Sequence, residues 1–206
     1  IRNEKLGASL VKALALRHFD AYYCASSAEA AEKILSLIPK TDVVSWGGSM
    51  TMEALGVIER VKNGGWRVID RSTARSQEEK IEIMRRALLC DTYLTGANAI
   101  SEDGEIVNVD GNGNRVAAMT FGPKSVIVAC GMNKVVKTVN DATSRARNTA
   151  APVNAQRFDI RTPCKTTGSC ADCKSTDSIC SYIVRTRLCK PAGRIKVVLV
   201  GEALGF

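Results

Sequence analysis

The sequence predicts an α/β domain whose mostly parallel sheet is covered by helices on both faces. Two observations predict it. Strand-like and helix-like segments alternate along the 206 residues, the order that builds parallel sheets through helical crossovers. Several strand-like segments are near-continuous Val/Ile runs, among them DVVSW, SVIVAC and IKVVLV, as strands buried on both faces require. At this length a single domain with at most a small appendage is expected. Residues 1–206 are read as that domain, with residues 161–192 as a cysteine-rich flap inserted before the last strand.

The elements follow in order. Leu6, Leu10, Val11 and Leu14 recur at helical spacing after Asn3, placing a helix over Glu4–His18. Ala21–Cys24 reads as a short strand. Ser26 and Glu29 form a capping-box start for a helix through Ile38. Asp42–Trp46 is a buried-type strand running into Gly47-Gly48-Ser49 and a helix over Met50–Lys62, and Trp66–Asp70 is the next strand. Ser76 and Glu79 start a helix with Ile81, Met84, Leu88 and Leu89 on one face. Thr92–Thr95 is a strand, Ile100–Val109 a hairpin around Asp103-Gly104, and Asn114–Phe121 a helix. Ser125–Cys130 is an apolar strand, Val135–Ala150 a basic-flanked helix and Ile195–Val200 the last strand.

Composition narrows the function classes. Apolar residues make up 45% and charged residues 24% of the chain, as in ordinary globular proteins. No apolar run reaches the length of a membrane span. The net charge of +8 is spread thinly and aromatics are only 5%, too few for base-stacking platforms, so nucleic acid is not an expected partner. With no charged-then-apolar leader in view, the eight cysteines are expected to sit reduced in a cytoplasm.

Four of those cysteines, Cys164, Cys170, Cys173 and Cys180, fall in the run PCKTTGSCADCKSTDSIC. Four thiolates this close are a ligand set for zinc or for a four-iron cluster. The run is rich in Gly, Ser, Thr and Lys and has almost no apolar residue, so a metal would have to order it; Lys165, Lys174 and Arg185 would offset the thiolate charge. The other outcome is a flexible loop of free thiols. The spacing matches neither paired C-x-x-C zinc halves nor the bacterial ferredoxin pattern. Cys189 is a spare ligand; Cys24, Cys90 and Cys130 lie in apolar segments as small buried residues.

Ligands of open parallel sheets sit beyond the carboxyl ends of the strands. Two segments meet that condition. Gly47, Gly48, Ser49 and Thr51 follow a strand and open a helix, where free N–H groups and hydroxyls suit an anion; a simple capped turn would look similar. The second segment, GANAISEDGEIVNVDGNGN, carries Asn98, Asp110, Gly111, Asn112 and Asn114. Its amides and carboxylates suit a polar ligand, although a hairpin and tight turn select the same residues. Glu102, Asp103, Glu105 and Asp110 are acid/base candidates that no spacing separates. His18 is the single histidine and is read as structural, which leaves no Ser-His-Asp set.

These strings, SWGGSMT, TGANAISEDGEIVNVDGNGNRVAAMTFGPKSVIVACGMNKVV, PCKTTGSCADCKSTDSIC and GRIKVVLVGEALGF, together resemble the lactate-utilization (LUD) domain family, in its small stand-alone form with a C-terminal cysteine-rich segment. The resemblance covers nearly the whole chain and is most specific at DGNGNR and VGEALG. It implies a Rossmann-like fold shared with ribose-5-phosphate isomerase and coenzyme A transferases, with Gly47, Gly48, Ser49 and Thr51 matching a phosphate-binding turn. The ANAISEDGEIVN run is also similar to sugar-phosphate isomerases and to regulatory subunits of translation initiation factor 2B. No catalytic residue carries over, since Ala97 and Asn98 stand in the neighbourhood where one would be sought. The family implies a part in iron–sulfur-dependent oxidation of L-lactate to pyruvate beside other lactate-utilization subunits. An isomerase- or transferase-like enzyme on a sugar phosphate or acyl-coenzyme A, and a non-catalytic regulatory subunit, are the competing readings.

Overall fold

Strand–helix alternation runs through the structure, a computed structural model describing residues 1–206. The N-terminal half holds α1 (Arg2–Leu16), β1 (Asp20–Cys24), α2 (Ser27–Ser36), β2 (Val43–Trp46), α3 (Met50–Ala54), α4 (Val57–Asn63), β3 (Arg67–Ile69) and α5 (Gln77–Ala87). Then come β4 (Thr92–Gly96), β5 (Ala99–Ser101), β6 (Ile106–Asp110), α6 (Asn114–Thr120), β7 (Ser125–Gly131), β8 (Val135–Val136), α7 (Val139–Arg145) and α8 (Ala151–Ala155). The chain ends with α9 (Pro163–Thr167), β9 (Tyr182–Thr186) and β10 (Ile195–Val200).

Six strands form a parallel sheet in the order β1-β10-β7-β4-β2-β3. The Val/Ile runs occupy its middle, and alternate residues feed two cores. Val126, Val128, Ile195, Val197 and Leu199 pack against Leu10, Leu14, Ala87 and Met119 on one face. Ile127, Ala129, Val198 and Val200 pack against Ala30, Ile34, Met52, Val57 and Val61 on the other. The expected two-sided burial is therefore present, and the edge strands β1 and β3 carry the exposed positions.

A second sheet, order β8-β5-β6-β9, stands beside the first and was not anticipated. The predicted hairpin supplies β5 and β6, paired antiparallel. Val135 and Val136, expected to begin a helix, instead pair with Ile100 and Ser101 as β8. The helix starts only at Val139, behind a capping box in which Thr138 and Asp141 satisfy each other's backbone N–H groups. It continues through a π-helical turn, Ala146–Ala150, into α8. Small residues, Ala99, Ala142, Ala146 and Ala151, let this helix lie close on Val107 and Val109. The expected Met50–Lys62 helix is broken at Gly56, whose φ of 65° is left-handed.

The fourth strand, β9, arises within the cysteine-rich region and pairs antiparallel with β6 from Asp110↔Tyr182 to Ile106↔Thr186. Glu105 fastens it. Its carboxylate is 4% exposed and accepts from Arg185 of β9, Nη2–Oε1 2.6 Å, and pairs with Arg17 at 3.1 Å. The Arg185 hydrogen bond, helped by the charge of Arg17 and opposed by burial, holds the Glu105 carboxyl below its ordinary value of 4.5. A carboxyl depressed in the folded state stabilises fully above its unfolded pKa and loses that contribution as pH falls through the folded value. Glu105→Gln should thus lower the urea midpoint near neutrality, with the gap from the parent narrowing below about pH 4.5. A gap that stays constant into acid would show that the carboxylate charge does not hold the strand.

No helix is long and apolar enough to cross a membrane.

Candidate functional site

The sheet order sets the site. From β2 the chain moves outward to β3, whereas from β4 it moves the opposite way, to β7 and then β10. The loops after β2 and β4 therefore diverge, and a crevice opens between them at the carboxyl ends of the strands. Gly48-Ser49 forms one wall and Ala97-Asn98 the other. Close packing explains two glycines here. A Cβ on Gly96 would stand 2.7 Å from Ser49 Oγ, and one on Gly47 would stand 3.0 Å from Arg115 Cδ. Ser49 caps α3, its hydroxyl accepting from the Met52 N–H at 3.3 Å.

The cleft between them is small, about 70 Å³, and basic. Arg115 reaches in from the start of α6. Its Nη1 donates to Gly96 O at 2.9 Å and Asn108 Oδ1 at 2.7 Å; its Nη2 donates to Asn98 Oδ1 at 2.9 Å and Val109 O at 2.7 Å. Lys134, 4% exposed, donates to Thr51 Oγ1 at 2.8 Å and Ala97 O at 3.3 Å. Arg145 donates to Asn98 O at 2.6 Å. Arg157 and Phe206 close the rim, the guanidinium 6.0 Å from the ring centroid. None of these four cations pairs with a carboxylate; every ion pair of the chain lies elsewhere. Burial pushes the Lys134 ammonium below its ordinary value, and the charges of Arg145 and Arg115 push the same way. No Asp, Glu or His lines the cleft.

The sequence-predicted residues divide between this cleft and its surroundings. Gly48, Ser49 and Asn98 line it, and Gly47 packs under the Arg115 stem. Thr51 is buried below and holds Lys134. Asp110 works on the backbone: its oxygens accept from the N–H groups of Asn112, Gly113, Arg115 and Val116 at 3.0–3.2 Å. The DGNGN turn is thereby folded tightly, which aims Arg115 at the cleft. The cysteine-rich segment crosses over the same turn. A Cβ on Gly111 would stand 3.1 Å from Ile179 Cα, and one on Gly113, at φ 81°, 2.9 Å from the Tyr182 ring. Asn112 and Asn114 face away, into a groove between α5 and α6.

Cys164, Cys170, Cys173 and Cys180 line one cavity of about 70 Å³, with Arg147 and Asp172 beside them. Burial, and then the nearness of the other three thiols, pushes Cys180 up to about 11. The thiols surround the cavity without standing as a ready-made chelating group of three or more. From residue 163 to 181 no side chain is buried, so the segment has no apolar core. A four-thiol donor set around one cavity, on a segment lacking its own core, fits a tetrathiolate metal or cluster. The cation facing these thiols is Arg147, which pairs with Asp172; Lys165 is turned onto the carbonyls of Gln156 and Phe158, and Arg185 is spent on Glu105. Cys189 is no spare ligand. It is 2% exposed in the main core, where its sulfur accepts from the Ile195 N–H. Cys24, Cys90 and Cys130 are buried as expected.

The LUD domain family model matches residues 8–200. The chain belongs to the LUD domain family. Membership supports a role related to lactate utilization. Among solved structures, the LUD-domain chain is similar to a DUF162-family protein from Deinococcus radiodurans, at 15% identity and a TM-score of 0.55, over 96% of this chain and 97% of that one. It also matches ribose 5 phosphate isomerase A from Neisseria gonorrhoeae at 16% identity and a TM-score of 0.36, over 53% of this chain and 52% of that one. A third match is eIF2B delta from Chaetomium thermophilum, at 18% identity and a TM-score of 0.33, covering 53% and 48%. No curated protein matches the chain. The first of these likenesses supports the Rossmann-like α/β fold of the LUD domain.

Proposed function

We propose that this LUD-domain protein is an accessory component of iron–sulfur-dependent oxidation of L-lactate to pyruvate, binding a small anion in the basic cleft. The reading rests on one observation: Arg115 and Lys134 line the cleft with Gly48, Ser49 and Asn98, and Arg145 stands behind them on Asn98 O, none of the three with a carboxylate partner. Buried cations without counter-charges are costly. A carboxylate or phosphate entering the cleft removes that cost. Lys134 supplies a point charge and the one N–H it has not given to Thr51 and Ala97, Arg115 adds its charge while its Nη hydrogens hold the walls in place, and backbone N–H groups at Gly48 and Ser49 complete the anion's hydrogen bonds.

Cys164, Cys170, Cys173 and Cys180 would hold a four-iron cluster or a zinc ion. A bound cluster supplies one-electron chemistry, and zinc supplies rigidity. The cleft has no Asp, Glu or His, and the one group in it able to exchange a proton, Lys134, has its ammonium turned onto Thr51 Oγ1 and Ala97 O. Binding is therefore favoured over isomerase- or transferase-like turnover.

Anaerobic purification followed by assays for iron, acid-labile sulfide and zinc tests the metal. About four irons and four sulfides per chain are expected for a cluster. One zinc and no colour would end the electron-transfer reading. Titrating L-lactate, pyruvate and inorganic phosphate into the same protein tests the cleft. An anion at a hundred times its dissociation constant should add about 2.7 kcal/mol of stability. No shift with any of the three would end the anion reading.

A further inference from the structure

A groove of about 690 Å³ runs between α5 and α6 and shares no lining residue with the basic cleft or the cysteine cavity. Its lining is half apolar. Ile81 and Met84 face it from α5, and Val116 and Ala117 from α6. At one end lies the Tyr182 ring, 49% exposed and seated against Gly113. Asn112 and Asn114 stand at the same end. Their amides bond to no group of the chain; Asn112 uses only its backbone N–H, on Asp110. Arg85 is the single charged residue of the lining, and it is paired with Glu82.

We propose that this groove binds the adenine ring of a nucleoside. The volume lies within the range of small-molecule sites. Apolar side chains of two adjoining helices would take one face of a flat ring out of water, and Tyr182 adds an aromatic contact. The amide pair decides the class. Each amide offers a donor and an acceptor, and asparagine matches the adjacent N6 donor and N7 acceptor of adenine in a bidentate pair. With no free charge in the lining, the recognised part is neutral. The site is independent of the anion cleft, so either can fail without the other.

Calorimetric titration of adenosine into the anaerobically purified protein tests it. Saturable, one-to-one binding is expected. Ala117→Trp, which fills the groove from a partly exposed helix position, should abolish it. Asn112→Ala, at an exposed turn position, should weaken it about tenfold while leaving the melting curve in place. No saturable binding, or binding equally tight in both variants, would overturn the proposal.

Discussion

Replacing Arg115 by leucine should cost the protein about 3 kcal/mol of stability and abolish anion binding. The guanidinium makes four hydrogen bonds, to Gly96 O, Asn108 Oδ1, Asn98 Oδ1 and Val109 O. These acceptors come from the end of β4, the loop that follows it and β6. Removing the fork leaves them facing an apolar side chain. Each buried acceptor left unpaired costs about 1–3 kcal/mol, less for a carbonyl that keeps one partner. The urea midpoint should fall by about 1–2 M with little change in slope. Arg115→Lys restores the charge but not the planar fork, so it should recover some anion affinity and little stability. A leucine variant as stable as the parent would mean that the fork does not organise the cleft.

Cys180→Ser should reduce bound metal to less than about a tenth of the parent's. The second readout is local. Residues 163 to 181 bury no side chain and hang between α8 and β9. The six-stranded sheet has its own two cores and does not touch the four thiols. Hydrogen exchange should therefore accelerate across residues 163 to 181 and stay slow in β4, β7 and β10. Equal acceleration in both regions would show that the cysteine segment folds as one unit with the sheet. Unchanged exchange, with no metal in the parent either, would mean that the thiols order nothing.

How far the sequence reveals this protein depends on the range of the interaction. Val/Ile runs such as SVIVAC and IKVVLV report two-sided burial directly, because a strand covered on both faces needs an apolar residue at nearly every position. The GGS turn is legible because Ser49 caps within its own helix. The cations of the cleft are not. Arg115, Lys134 and Arg145 each look like ordinary surface residues, and only the reversal of strand order brings them together. One signal was in view: Arg115 directly follows DGNGN, a turn whose Asp110 and glycines are explained by what they position. The strand β9 was hidden for a related reason. YIVRT has the β-branched and aromatic residues of a strand, but its partner lies more than seventy positions away and the polar cysteine run precedes it.

The position of β10 bears on how the protein is made. It is the last strand of the large sheet in the chain yet lies second in the sheet, between β1 and β7. During synthesis β1 emerges first and finds no neighbour, since β10 is its only partner. Until residues 195–200 leave the ribosome, β1 and β7 both present open edges lined with Val, Ile and Tyr. Such edges template pairing with other chains. A chain in which β10 is missing or not yet made keeps both of these edges open, and the six-stranded order closes only when residues 195–200 insert between β1 and β7.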